Sequence, residues 1–397
     1  MITVEQADQI ILAQTRDYGF EQLPFEQSLG RVLAEDIVAD RDLPPFNRAT
    51  VDGIAVKYWA VMSGYRVFTI KATQAAGDEP INITRDDECI EIMTGAALPS
   101  STDCVIRYED IAIQDGKAMV KSGTIEKWQN LHLRGKDKRQ DEVIANAGQV
   151  VTPAIVGIAA SVGKVTLAVK RLPRIVAISS GNELVEVDET PSEFQIRKSN
   201  GYTIKSVLKQ HGIPCDTLHI PDDADISRDK LNECLQNYDV LLLTGGVSMG
   251  RFDYIPSALD TLGVNKLFHK VQQRPGKPFW FGEHGNGALV FAFPGNPVAV
   301  FMSLHRYFLT WLDRINGIAS PEMYAVLAED FEFAPSLKYF LQVKLQMNRS
   351  AQLLATPLQG NGSGDFANLA DTDAFMELPL ERPAFKQGEV FRIWPFK

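Results

Sequence analysis

Cysteine and histidine are scarce in this chain of 397 residues, with four of the first and six of the second. Cys89, Cys104, Cys215 and Cys234 are scattered, with no C-x-x-C pair and no histidine at ligand spacing. That argues for free buried thiols rather than a zinc site or disulfides. No apolar run reaches the roughly 20 residues of a spanning helix. Met1-Ile2-Thr3-Val4-Glu5 lacks the basic start and apolar core of a secretion signal. The expected location is therefore cytoplasmic, with no membrane partner. Basic residues are outnumbered, and the formal net charge of −10 argues against nucleic acid as a partner. An anionic substrate would need positive charge concentrated locally. There is no G-x-x-x-x-G-K-[ST], so the chain is not a P-loop enzyme, and no Ser-His-Asp or Cys-His nucleophile is suggested.

What is present is an ordinary globular balance, 45% hydrophobic and 23% charged, with length for two to four domains. Thr3-Val4-Glu5-Gln6 reads as a capping box opening a helix that Gly19 would stop. Leu43-Pro44-Pro45-Phe46 marks a stiff crossing and a boundary. Short alternating runs follow, Gly53 to Val56, Tyr65 to Ile70, Cys89 to Met93, Cys104 to Tyr108 and Ala118 to Lys121, and predict a β-rich inserted module. Thr152, Pro153 and Gly163 bracket a second helix, expected to pack on the first. From Leu172 to Gly317 strands alternate with helices, which predicts a doubly wound parallel α/β domain. After Ser320-Pro321 five strand-like runs without helices predict a small β-barrel or sandwich.

The central domain holds the stretch around which the rest is organised. Asp239 to Thr244 is an apolar run of strand length. It breaks on Gly245-Gly246-Val247-Ser248-Met249-Gly250, and Asp253 follows. Glycines there let the backbone turn tightly and leave amide N–H groups free for an anion. Arg274-Pro275-Gly276-Lys277-Pro278 and Phe293-Pro294-Gly295-Asn296-Pro297 are two more such turns, and one edge of a parallel sheet would gather them where such sheets bind ligands. Glu183, Asp222 and Asp253 fall at the same predicted edge. Oxygen donors without a Cys/His cluster suit Mg²⁺. Lys270, Arg274 and Lys277 supply countercharge for phosphate. Outside this domain, Asp52 beside Gly53 and Thr94 beside Gly95 are candidate site residues, and the loop Gln359 to Asp365, with Gly362-Ser363-Gly364, is either a flexible linker, which composition slightly favours, or an anion-binding loop. Chemistry alone reaches a Mg²⁺ and phosphate site.

In this order the motifs resemble the molybdopterin molybdenumtransferases, a family that includes the C-terminal part of gephyrin. They are Thr50-Val51-Asp52-Gly53, Thr94-Gly95, Gly181-Asn182-Glu183-Leu184, Pro221-Asp222-Asp223, Thr244-Gly245-Gly246-Val247-Ser248, Pro275-Gly276-Lys277-Pro278, Pro294-Gly295-Asn296-Pro297 and Gly362-Ser363-Gly364. The resemblance covers essentially the whole chain. It implies four parts: an N-terminal linking domain at 1–44 and 138–170, an inserted β-rich domain at 45–137, an α/β molybdopterin-binding domain at 171–320 and a C-terminal β-barrel domain at 321–397. It implies a homodimer whose active site is shared between subunits. The reaction would be Mg²⁺-dependent insertion of molybdate into adenylylated molybdopterin with release of AMP, the substrate delivered by a molybdopterin adenylyltransferase.

By motif position Asp222, Asp253 and Glu183 would lie at the metal, with Asp52 and Thr94 reaching in from the other subunit. Gly245, Gly246, Ser248, Gly250, Lys270, Arg274, Lys277, Pro294, Gly295, Pro297 and Ser363 would bind substrate. Four positions depart from the family's usual residues: Arg274 for lysine, Asn182 for aspartate, Val51 for methionine, and Lys136 for an acidic residue. Two other functions compete, adenylyl transfer to molybdopterin and a gephyrin-like binding scaffold without catalysis.

Overall fold

The computed structural model describes residues 1–121, 123–247, 254–319, 321–360 and 362–397. They form two compact units, one of residues 1–22, 29–34 and 168–397, the other of residues 23–28 and 35–167.

The larger unit is built on a six-stranded sheet. Cys215–Ile220, Ile175–Ser180, Val240–Thr244 and Leu289–Phe293 run parallel in that spatial order. Each is a short apolar run of the kind that forms a strand buried on both faces. Trp280–Glu283 and Asn265–His269 then continue the sheet antiparallel. This hairpin extends the expected parallel sheet into a mixed one.

Alternate residues of the strands feed two cores, as the twofold period of a strand requires. Ile175, Ala177, Val240, Leu242, Phe291 and Phe293 face the helices Asn200–Gln210 and Pro297–Asn316. Val176, Ile178, Leu241, Leu243 and Val290 face Ala224–Asn237 and Tyr254–Thr261. Helices on both faces make the domain doubly wound.

The helix Pro297–Asn316 has proline at its first position and Gly317 in the left-handed region (φ 74°) at its end, the usual asymmetry of helix termini. Its middle, Leu304–Phe308, is a π-helical turn.

The Thr3 capping box is present, with Thr3 Oγ1 accepting from the Gln6 N–H and Gln6 Oε1 from the Thr3 N–H. Val4, Ala7 and Ile11 of the helix Val4–Ala13 join the larger core, and Trp311 Nε1 donates to the Gln14 carbonyl (2.8 Å). Thr152 caps Pro153–Ser161 as expected, but that helix belongs to the smaller unit and packs on the 3₁₀ turn Phe25–Gln27.

The C-terminal strands close on themselves. Lys338–Met347 pairs with Leu353–Pro357, then Met323–Leu327, Val390–Pro395 and Ala374–Leu378, which returns to Lys338–Met347. It is a five-stranded barrel, not a sandwich. Gln273–Arg274 adds to its first strand, with Gln273 opposite Lys338 and Arg274 opposite Tyr339.

The smaller unit carries a six-stranded sheet in the order Cys104–Arg107, Gly53–Val56, Glu88–Ile92, Val67–Gln74, Lys117–Val120, Ile111–Gln114. Gly53 is required by packing, since a Cβ there would fall 2.0 Å from the Ile106 carbonyl oxygen. All four cysteines are free and buried. No helix among the described residues is long and apolar enough to cross a membrane.

Candidate active site

The four parallel strands end at one edge, and the turns that follow them touch. Gly245 and Gly246 both have positive φ (86° and 67°). A Cβ on Gly245 would fall 2.7 Å from the Ser180 carbonyl oxygen, and one on Gly246 would fall 3.2 Å from Ser180 Oγ. The Gly245 N–H donates to the Phe293 carbonyl (3.2 Å), and a Cβ on Gly295 would lie 3.7 Å from Gly245 Cα. Asn200 Nδ2 donates to the Gly295 carbonyl (2.8 Å), so the neighbouring helix holds this turn in place.

Asp222 follows the edge strand Cys215–Ile220. Its carboxylate accepts from Ser180 Oγ (3.3 Å) and from the Asn182 N–H (3.2 Å). Asn182 Oδ1 in turn accepts from the Asp222 N–H (3.1 Å). That exchange accounts for the departure at 182: an amide oxygen accepts this bond as a carboxylate would, without adding a second negative charge beside Asp222. The Glu183 carboxylate curls over Gly181, where a Cβ would meet its Oε2 at 2.3 Å. Asp222 and Glu183 thus sit on adjacent, mutually bonded turns. Hard carboxylate oxygens of this kind, with no thiolate or imidazole among them, suit Mg²⁺ better than zinc. Among the described residues no three His, Cys, Asp or Glu side chains cluster at metal-ligand spacing. Ser248, Gly250 and Asp253 lie outside the described residues.

Beside this edge a cleft of about 70 Å³ is lined by Ser179, Glu186, Lys198, Gly201, Tyr202, Thr217, Leu218 and His219. Lys198 Nζ bonds Glu186 Oε1 (2.5 Å), and His219 Nδ1 lies 3.2 Å from the Ser179 carbonyl. Burial and the nearby Lys198 charge hold the His219 imidazole below its usual range.

The basic turn and the glycine loop of the barrel meet at a second cleft, also about 70 Å³, lined by Arg274, Pro275, Val298, Tyr339, Phe340, Gln342, Gly360, Gly362 and Ser363. Ser363 Oγ accepts from Asn296 Nδ2 (2.7 Å), and its carbonyl accepts from the Val298 N–H (3.2 Å). Ser363 is thereby tied to the Pro294–Pro297 turn and is no free linker. The Arg274 guanidinium is exposed and 5.9 Å from the Phe333 ring. Pro294 is buried and Pro297 half-buried. Lys277 is exposed on the same turn, and Lys270, at φ 73°, accepts at its carbonyl from the Ile2 N–H.

Asp52 and Thr94 pair within the smaller unit. Asp52 Oδ1 accepts from both Thr94 Oγ1 and the Thr94 N–H, each at 2.7 Å. These two bonds hold the exposed carboxyl below its ordinary range. Val51 keeps an apolar contact with the core that contains Ala49 and Ile90.

Ser180, Asn200, Asn296 and Gln342 take part in these clusters without having been singled out as site residues. Ser180 carried the plainest signal, as the last strand residue before a glycine. Gln342 had none, because it lies mid-strand in the barrel.

Three family models match in chain order. The MoeA N-terminal region (domain I and II) covers residues 2–163, the probable molybdopterin binding domain residues 176–314, and the MoeA C-terminal region (domain IV) residues 324–396. A protein of Synechocystis sp. named molybdopterin molybdenumtransferase is 38% identical over 397 residues, covering 99% of this chain and all of that one. One of the same name from Staphylococcus epidermidis is 29% identical over 400 residues, 99% of this chain and 95% of that one. A crystal structure of the molybdopterin biosynthesis MoeA protein of Pyrococcus horikoshii superposes with a TM-score of 0.84 at 26% identity, over 100% of this chain and 99% of that one. Motif order, full-length identity and the agreement of fold lead to one assignment: this chain belongs to the MoeA family of molybdopterin molybdenumtransferases.

Proposed function

We propose that the chain is a molybdopterin molybdenumtransferase acting in molybdenum cofactor biosynthesis in the cytoplasm, taking adenylylated molybdopterin and molybdate and releasing AMP. The observation that carries this reading is the gathering of Asp222, Glu183, Gly245, Gly246 and Gly295 at the carboxyl edge of the parallel strands. Glycine turns at such an edge let a phosphoanhydride approach the backbone closely, although the Gly245 N–H is itself bonded to the Phe293 carbonyl. Asp222 and Glu183, with Asp253, would hold Mg²⁺, which supplies charge neutralisation at the departing phosphate. Ser180 and the Asn182 N–H orient the Asp222 carboxylate.

The second cleft is the molybdate site in this reading. Arg274 offers a planar guanidinium, whose fork matches an oxyanion in a different geometry from the lysine usual in the family. Ser363 adds a hydroxyl, held by Asn296. Lys270 and Lys277 contribute charge, and Ser248 and Gly250 would bind substrate by motif position. The four-part division of the chain, the homodimer with a shared site, the entry of Asp52 and Thr94 from the partner subunit, and delivery by a molybdopterin adenylyltransferase belong to the same reading.

The test is AMP release from adenylylated molybdopterin under anaerobic conditions with Mg²⁺, with and without molybdate. Molybdate-stimulated release that falls at least about 100-fold in Asp222→Ala, while the protein stays folded, is the expected result. Release indifferent to both molybdate and Asp222 would sink the reading.

A further inference from the structure

The basic turn that carries Arg274 and Lys277 rests on a buried polar relay. Gln273 is 0% exposed and Tyr307 1%. Tyr307 Oη donates to Gln273 Oε1, and Gln273 Nε2 donates to the Gly276 carbonyl (3.2 Å). Gly276 has φ 85°, and a Cβ there would meet Gln273 Nε2 at 2.9 Å and Ser303 Oγ at 3.1 Å. The turn therefore sits directly on the helix, with Gln273 spanning it from inside.

Tyr307 is not on a regular helical turn. It lies in the π-helical segment Leu304–Phe308, a widened turn of the kind often found at functional sites. Its ring packs on Phe279 (5.1 Å), which follows the basic turn in sequence. The preceding residue, Arg306, is 3% exposed and locked by Asp8 (2.7 and 2.5 Å), by Glu377 (3.4 Å) and by the Trp394 ring (4.2 Å). Three parts of the unit, the first helix, the long helix and the barrel, converge on this segment.

We propose that Gln273 and Tyr307 are positioning residues for the oxyanion site, their relay setting the height and orientation of the Arg274–Lys277 turn over the cleft it shares with Ser363; this rests on the molybdate reading given above. Neither side chain touches the substrate. Each acts through the Gly276 carbonyl. A guanidinium on an exposed turn has many orientations, and an anchor beneath the turn removes most of them before the anion arrives.

The variants are Tyr307→Phe, Gln273→Met and the double variant. Tyr307→Phe leaves Gln273 Oε1 unpaired, and Gln273→Met leaves both the Tyr307 hydroxyl and the Gly276 carbonyl unpaired, so both lower the melting temperature. The double change removes the Tyr307–Gln273 pair together and recovers part of that loss, with the Gly276 carbonyl still unpaired. Both variants carrying Gln273→Met lose the bond to the Gly276 carbonyl, and Tyr307→Phe leaves that bond on a Gln273 side chain no longer held from beneath. The KM for molybdate is expected to rise about tenfold in every variant, with kcat at saturating molybdate within about twofold of the parent. Equilibrium dialysis with molybdate alone should give a matching loss of affinity.

A merely structural pair would behave otherwise, with affinity recovering alongside melting temperature in the double variant. That result overturns the proposal, as does unchanged molybdate affinity in the singles. Unaltered dialysis by the variants sinks the relay alone. Parent protein that releases AMP without any response to molybdate sinks the functional reading instead, so the two failures are separable.

Discussion

At the scale of single residues the charge state of Asp52 is set by one neighbour. Thr94 supplies both hydrogen bonds to Oδ1, and both favour the ionised form. The folded-state pKa is depressed, so the interaction is present above the ordinary carboxylate range and is lost as pH falls through the folded value. Thr94→Val removes the hydroxyl bond, the larger of the two causes, and leaves the N–H bond. The expected outcome is an upward move of the Asp52 pKa toward 3.8, read by carbon NMR titration of the carboxyl, with the acid limb of AMP release moving the same way. An unmoved titration would mean that the backbone bond alone holds the charge. Asp52 and Thr94 were legible because each stands beside a glycine that a tight backbone needs: Gly53 against the Ile106 carbonyl, and Gly95 at φ 85°. Asn182 was legible only as a departure. Its exchange of bonds with Asp222 depends on two turns separated by 40 residues, and no local pattern contains that.

At the scale of elements the strands and helix ends were readable and the inner polar contacts were not. Leu353–Pro357 follows directly from its residues, as do the Thr152 cap and the Gly317 stop. The hairpin of Asn265–His269 and Trp280–Glu283 was missed because an apolar run of strand length carries no mark of its direction. The π-helical turn was missed for a related reason: the residues around it are buried on nearly every side, polar Arg306 included, so one extra residue per turn disturbs no visible period.

That segment also contains a titration that stability should report. Burial pushes the His305 imidazole down to about 4 from 6.5, its Nδ1 lies 2.9 Å from the Phe301 carbonyl, and its ring packs on Phe301 and Phe396. Above about 6.5 both folded and unfolded states hold it neutral. Between 6.5 and 4 the unfolded state binds the proton first, so stability falls on acidification by up to about 3 kcal/mol from this group. His305→Phe keeps the ring contacts and removes the titration. Urea unfolding across that pH range should show a shallower acid slope in the variant. Superimposable slopes would assign the pH dependence elsewhere.

For the whole molecule, the order of parts was legible through the family motifs, whereas the grouping by compactness was not. The capping box says where the first helix begins, but not that Val4, Ala7 and Ile11 enter the core of the α/β sheet nearly 200 residues on. Compactness separates the two candidate carboxylates as well, Asp52 in the smaller unit and Asp222 in the larger. If the active site is shared in a homodimer, each site takes Asp222 from one subunit and Asp52 from the other. Asp52→Ala and Asp222→Ala are then each inactive alone, yet their mixed dimer contains one site with both carboxylates and one with neither. Co-expression at equal levels with random pairing puts about half the protein in mixed dimers, each with one of two sites intact, and so yields about a quarter of the parent activity. Isolating the mixed dimer through two different tags should raise this to about half. Activity no higher than that of either single variant would confine each site to one chain, and Asp52 would then act within its own subunit or not at all.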